Sequence, residues 1–144
     1  MPVPKSVTKV TKDGVEFTDS VDRCKYTLNE LSRAALRDVG KYVVKETRKN
    51  FADAGIKRTG RGAKQIQYWV RKRETDLLVG IKKPGFYLGF HEMGTSKHRS
   101  IGALSGAVYN NIGAIRDIEG KYLSSIENEQ AALALIDDGE YEGE

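Results

Sequence analysis

SVDRCKYTLNELSRAALRDVGKYVVKETRKNFADAG, residues 20–55, is the stretch on which the fold turns. Within it Leu28, Leu31, Ala35, Val39, Tyr42, Val43 and Phe51 recur mostly at steps of three and four, which gathers them on one side of a helix. Lys25, Arg33, Arg37, Lys41, Lys45, Arg48 and Lys49 fill much of the remainder. Asp22 or Thr27 suits the start as a cap, and Gly55 suits the stop. Gly40 interrupts the pattern, but glycine inside a helix costs only about 1 kcal/mol against alanine, too little to break one with this much apolar surface to bury. A long N-terminal helix is therefore the first element predicted.

Working outward from it, the next stretch changes period. Lys57-Arg58-Thr59-Gly60-Arg61-Gly62 reads as a basic, flexible loop. Ile66, Tyr68 and Val70 then alternate with Gln65, Gln67, Trp69 and Arg71, the period of two that marks a strand. Thr75-Asp76 supplies a turn and Leu77 to Ile81 a returning strand, so a β-hairpin is expected, punctuated by Pro84-Gly85. Phe86 to Thr95 is a compact aromatic segment closed by glycine, and Ser96 to Gly106 reads as a polar loop. The last helical region runs from near Asn110 to Ile136, with Gly113 and Gly120 as points that would divide it. On the other side of the long helix, Val7, Val10, Val15 and Phe17 flank Asp13-Gly14, a good hairpin turn.

These elements predict an α+β fold: a long N-terminal helix packed on a small, mostly antiparallel sheet, plus a C-terminal helix. Residues 1–20 form an arm, 21–136 one domain, and 137–144 an acidic tail with almost nothing apolar to bury, expected to be disordered. A chain of 144 residues is the size of one domain. Its 39% hydrophobic content is enough for one core with no disulfide or metal as a staple. Cys24 is the single cysteine and has no partner in the chain, which fits folding in a reducing compartment. No apolar run follows Lys5 as it does in a signal peptide, and the longest apolar stretch, Ala131 to Ile136, is far short of the ~20 residues that cross a bilayer. No membrane association is expected.

Catalytic patterns are poorly served. A zinc protease needs two histidines four apart on one helix, whereas His91 and His98 are seven apart, with Gly94 and Thr95 between them. Glu92 has no acidic partner for glycoside hydrolysis, and suits a carboxylate that accepts backbone amides or pairs with an arginine. Gly102 to Gly106 lacks the lysine of a phosphate-cradling loop. No enzyme, metal or cofactor is predicted.

Charge is the stronger feature. Residues 1–100 carry 22 Lys or Arg against 11 acids, net +11, and residues 101–144 carry 2 against 9, net −7. Such asymmetry suits a polyanion partner, or subunits that set basic surface against acidic surface. Between Lys45 and Lys83 there are 12 basic and 4 acidic residues with Tyr68 and Trp69 interleaved, the mixture that non-specific nucleic-acid binders use. Lys57, Arg58, Arg61, Lys64, Arg71, Lys72 and Arg73 are the candidate contacts to DNA or to an acidic protein partner. The same residues also suit a merely solvated face.

Two strings go further. Arg58-Thr59-Gly60-Arg61-Gly62-Ala63-Lys64-Gln65-Ile66 resembles a "TG-x-L-x-x-S-I" lead-in to a strand, and Tyr87-Leu88-Gly89-Phe90-His91-Glu92-Met93-Gly94-Thr95-Ser96-Lys97 resembles "Y-x-x-x-x-E-x-G-T-S-K". In this order, after an N-terminal helix and over about residues 25–136, the chain resembles the phage tail-completion family of head–tail joining proteins, which also covers prophage relatives. It departs at Gly62 and Gln65, where the family has leucine and serine. It departs again at His98 to Leu104, where an arginine-proline-phenylalanine stretch is usual.

The resemblance implies no catalysis and no cofactor. It implies a virion protein made in the host bacterial cytoplasm and built into the neck or tail as a homo-oligomeric ring, such as a hexamer, around the DNA channel. Partners would be connector or stopper, tail terminator or tail tube proteins, with contact to packaged DNA open. Thr59, Gly60, Tyr87, Glu92, Gly94 and Thr95 would be its structural signature. Gly94 permits a turn, Thr95 caps the segment after it, and Glu92 fixes the turn by accepting amides. Phe86, Phe90, Met93 and Leu104 are the candidate subunit interface. A small non-specific nucleic-acid-binding protein using the basic residues of 45–83 is the alternative.

Overall fold

The computed structural model describes residues 3–10, 13–14, 16–56 and 60–141. Lys57, Arg58 and Thr59, three of the sequence-derived candidates, and residues 142–144 of the acidic tail lie outside the described residues. The predicted α+β class holds. A helix α1 (Val21–Asp53) is the spine, roughly 50 Å long at 1.5 Å per residue. A hairpin of β3 (Ile66–Arg71) and β4 (Asp76–Ile81) and three C-terminal helices, α4 (Ala103–Tyr109), α5 (Ile112–Ser124) and α6 (Glu129–Tyr141), pack around it. Between these lie the short helices α2 (Arg61–Gln65) and α3 (Tyr87–Met93).

The start of α1 is fixed differently from the expectation. Ser20 precedes its first turn, and the Asp19 carboxylate, not Asp22 or Thr27, accepts from the Val21 amide at 3.0 Å. Thr27 is already helical and donates its hydroxyl back to the Arg23 carbonyl. The stop is as predicted, with Gly55 at φ +80 just beyond the last turn.

Along so long a helix the core divides into three clusters in series. Leu31 and Ala34 meet Tyr122 of α5 and Ala132 and Ile136 of α6. Val39 and Val43 meet Ala107 of α4, with Leu77, Leu104, Ile115 and Ile118 against them. Val44 and Phe51 meet Ile66, Leu88 and Ala103, with Tyr68, Val79 and Ile81 against them. The hairpin's alternation is therefore real, with the Ile66, Tyr68 and Val70 face turned to α1. Trp69 and its cross-strand partner Leu78 lie on the outer face, 66% and 44% exposed.

Gly40 turns out to be a packing requirement. A Cβ there would sit 2.7 Å from two ring atoms of Tyr68 and 2.9 Å from Leu77, so the glycine lets the hairpin lie directly on the helix. The hairpin turn is displaced from Thr75-Asp76 to residues 72–75, because Asp76 pairs with Arg71 as the last rung of the ladder.

β1 (Val7–Val10) and β2 (Glu16–Asp19) form the expected N-terminal hairpin, with Gly14 at φ +75 in its turn. The two hairpins are separate two-stranded antiparallel sheets rather than one sheet. In the C-terminal region Gly113 and Gly120 do not divide the helix, since both lie inside α5. The breaks fall at Asn110–Asn111 and at Ser125–Asn128, where asparagine side chains take over backbone hydrogen bonds: Asn111 Nδ2 donates to Ala107 O at 2.9 Å and Asn128 Oδ1 accepts from Gln130 N at 3.0 Å. The backbone of α6 runs to Tyr141, past the expected end at Ile136.

Candidate functional site

α3 follows a 3-10 turn (Lys83–Gly85) and is a single short helix with two faces. Leu88 is buried in the core cluster at the end of α1. Phe86, Phe90 and Met93 follow one another at four and three residues, on the opposite side, and are 65%, 53% and 77% exposed. Phe86 stands edge-on to Phe90 with ring centroids 6.1 Å apart. This contiguous apolar face is the segment the sequence marks for a subunit contact. Leu104, the fourth residue of that set, is corrected: it is half-buried and packs with Val39, Val43 and Ala107 because α4 turns it toward the spine.

What holds α3 in place is the Glu92-Met93-Gly94-Thr95 string. Glu92 is half-buried, and its carboxylate accepts from the amides of Leu104 (2.9 Å) and Ser105 (3.0 Å) and from the Ser105 hydroxyl (3.0 Å). A side chain on α3 thus caps the first turn of α4, satisfying donors that the helix itself leaves orphaned. The backbone adds to this, with Ile101 N donating to His91 O at 2.8 Å and Ser100 Oγ to Glu92 O at 2.6 Å.

Gly94 makes the reversal possible, at φ +82 and ψ 163, with the Ser100 amide nitrogen 2.7 Å from where a Cβ would stand. Thr95 does not cap a helix. Its hydroxyl accepts from the amides of Lys97 and His98, and its backbone exchanges bonds with His98, closing a tight loop. The expectation that Glu92 accepts amides is met, and its partners lie twelve and thirteen residues away.

The first string meets the second. Gly60 stands at φ +72 just before α2, and a Cβ on Gly62 would lie 2.8 Å from Tyr87 Oη and 3.2 Å from Leu88 Cδ1. Together with the end of α1 they line a cavity of about 310 Å³. Arg48, which the sequence marks only as surface charge, ties this corner together: Nε donates to Ala63 O at 2.8 Å and Nη2 to Ile66 O at 2.9 Å.

The basic residues are not one cluster. Arg61 and Lys64 sit at the start of the hairpin, joined by Lys82 and Lys83, since Lys82 N donates to Gln65 O. Lys72 and Arg73 sit in the turn at the other end, roughly 20 Å away along a strand of six residues. Arg71 is not available as a free contact, because its guanidinium bonds Asp76 (Nε to Oδ1, 2.7 Å) and pairs with Glu74.

The bond from Arg71 holds the Asp76 carboxyl below its ordinary range. A carboxyl held below its ordinary value in the fold adds stability that is fully present above the unfolded value of about 4 and is lost as pH falls from there through the lower folded value. Asp76→Asn is therefore expected to flatten the loss of stability between about pH 5 and pH 3, measured by urea unfolding at each pH. An unchanged slope would show that the pair adds nothing.

His91 and His98 are brought together, ring centroids 6.2 Å apart, although they are seven residues apart in sequence. Among the described residues no group of three His, Cys, Asp or Glu is placed to hold a metal. No helix among them is long and apolar enough to cross a membrane. Comparison with models of known protein families, with curated proteins and with solved structures finds no match for this chain.

Proposed function

We propose that the chain is a structural subunit of the neck of a long-tailed phage, a tail-completion or head–tail joining protein that assembles as a ring around the DNA channel. The observation that carries this reading is the use made of the E-x-G-T string. Its glutamate is consumed in capping α4 and its glycine in reversing the chain, and the product is an α3 tied to α4 that presents Phe86, Phe90 and Met93 to solvent. Exposed contiguous apolar patches of this kind often mark a contact with a partner.

The test is complementation of a phage or prophage from which this gene has been deleted. Deletion should leave filled heads and tails unjoined in micrographs. Phe90→Glu with Met93→Glu should give a folded subunit whose infectious titre falls on the order of a hundredfold or more, since a loss of ~2 kcal/mol at one contact recurs around the ring. Wild-type titre from this variant would place the contact elsewhere. Joined, infectious particles from the deletion itself would end the neck reading.

Non-specific nucleic-acid binding is the second reading, favoured by the exposed Arg61, Lys64, Lys82 and Lys83 at one end of the hairpin. It requires affinity for DNA that falls steeply between about 50 and 200 mM salt.

A further inference from the structure

The hairpin β3–β4 divides its two aromatic residues between opposite faces. Tyr68 turns inward and lies on α1 over Gly40, and Leu77, Val79 and Ile81 of the other strand join the core clusters beside it. Trp69 turns outward next to its cross-strand partner Leu78, with most of its surface in water. An indole left so exposed adds little to the fold by burial. Gly80, the next residue along that face, puts no side chain beside it, and a Cβ there would meet nothing within 4 Å. The strip from the indole toward Lys82 is therefore open.

The charge around this face is of one sign. Residues 61–83 carry seven Lys or Arg against two acids, net +5. Both acids, Glu74 and Asp76, are held by a single residue, Arg71. The other six cations are exposed, and among the described residues none lies within ion-pair distance of an acid. They flank the indole on two sides. Lys72 and Arg73 stand in the turn, roughly 10–13 Å beyond Trp69 at the rise of a strand. Lys82 lies about as far past Leu78 in the other direction, with Lys83, Arg61 and Lys64 near it.

This arrangement narrows the occupant. The same face of a second copy would set +5 against +5 and is repelled. A chain that alternates anionic groups with flat rings suits both features at once, its phosphates meeting the cations and a base meeting the indole. In a duplex the base faces are already stacked on one another, so a single strand is what offers them. The two basic ends are separated by about the span of a short single-strand site, on the order of four nucleotides.

We propose that the outer face of β3–β4 is a binding site for single-stranded nucleic acid, in which Trp69 stacks on a base and Lys72, Arg73, Lys82 and Lys83 hold the phosphates on either side. The inference rests on the nucleic-acid reading given above and deepens it by naming the strand state and the stacking residue. It draws nothing from the neck reading.

Trp69 is the only tryptophan of the chain, so indole fluorescence reports on this position alone. In the full-length protein at about 50 mM salt, an oligothymidylate of roughly ten nucleotides should quench that emission, and a duplex of the same length should leave it nearly unchanged. Trp69→Ala should weaken binding of the labelled oligothymidylate, read by anisotropy, by about five- to a hundredfold. It should leave duplex binding as it was and melt close to the wild type, because the indole is exposed. Trp69→Phe should recover much of the loss, since it keeps a ring face. Lys82→Glu with Lys83→Glu should weaken strand and duplex alike and flatten the dependence on salt.

Equal affinities for strand and duplex, or a Trp69→Ala variant that binds the strand as the wild type does, would overturn the proposal and leave the nucleic-acid reading standing. Polyglutamate that competes as well as oligothymidylate at equal charge would overturn it too, and would assign the face to an acidic protein. Binding of neither strand nor duplex at low salt would end the nucleic-acid reading and this inference together.

Discussion

Gly40→Val is expected to lower the melting temperature by roughly 10 °C, corresponding to about 3 kcal/mol for a domain of this size. Gly120→Ala should raise it by a few degrees. Both glycines lie inside helices, so their intrinsic helix cost is the same and favours replacing either one by about 0.5–1 kcal/mol. Their surroundings decide the sign. At Gly120 a Cβ would meet nothing within 4 Å, and only the unfolded-state gain remains. At Gly40 the first carbon already lies 2.7 Å from Cγ and Cδ2 of Tyr68, the near end of a ring that β3 holds in place.

The strain at position 40 cannot be relieved by rotating one side chain, because Leu77 of the opposite strand closes the other flank at 2.9 Å. The hairpin must lift off α1, loosening its contacts with Val44 and Phe51. Tyr68→Ala should therefore restore part of the loss in the Gly40→Val background, a coupling that calorimetry of the four proteins in the cycle measures. If Gly40→Val melts with the wild type, the hairpin does not lie on this face of the helix.

That glycine also shows how far the sequence can be read. The spine is legible because over thirty residues of period-3.6 patterning outweigh any single exception, and the hairpin because its alternation survives in burial. Gly40 reads as a tolerated cost because periodicity carries no information about the neighbour that a residue meets. Pattern alone puts the C-terminal breaks at Gly113 and Gly120, the usual punctuation, whereas the chain breaks where Asn111 and Asn128 offer side-chain replacements for backbone bonds.

In the candidate site the chemistry is legible and the partners are not. A carboxylate beside a glycine reversal suggests amide acceptance at Glu92, but nothing local points to Leu104 and Ser105. The exposed Phe86, Phe90 and Met93 share a helical spacing that the sequence displays. Leu104 escapes such reading because its facing depends on where α4 begins. Counting charge does not show that Arg71 and Arg48 are already engaged within the fold.

Gly94→Ala should be the more damaging change near the site. At φ +82 and ψ 163 the residue occupies a region open essentially to glycine alone, and forcing alanine into it costs about 1–3 kcal/mol. The added Cβ would also meet the Ser100 amide nitrogen at 2.7 Å and its Cα at 3.1 Å, both backbone atoms that cannot rotate away. The reversal has to open, and with it go the bonds from Ile101, Gly102 and Ser100 back to the end of α3.

Hydrogen exchange is the measurement that separates this local release from global unfolding. The amides of Ile101, Leu104 and Ser105 should lose protection while those of Val43 and Val44 in α1 keep theirs. Glu92→Gln should fall between this variant and wild type: it removes a charge and one acceptor oxygen while keeping the shape, for about 1–3 kcal/mol. Both variants leave Phe86, Phe90 and Met93 intact, yet if the chain is the neck subunit proposed above both should impair joining of heads to tails, because an apolar face serves a ring contact only when its angle to the spine is fixed. Unchanged protection at Leu104 and Ser105 in Gly94→Ala would mean that α3 is positioned by Leu88 alone, and that the glutamate–glycine pair has some other purpose.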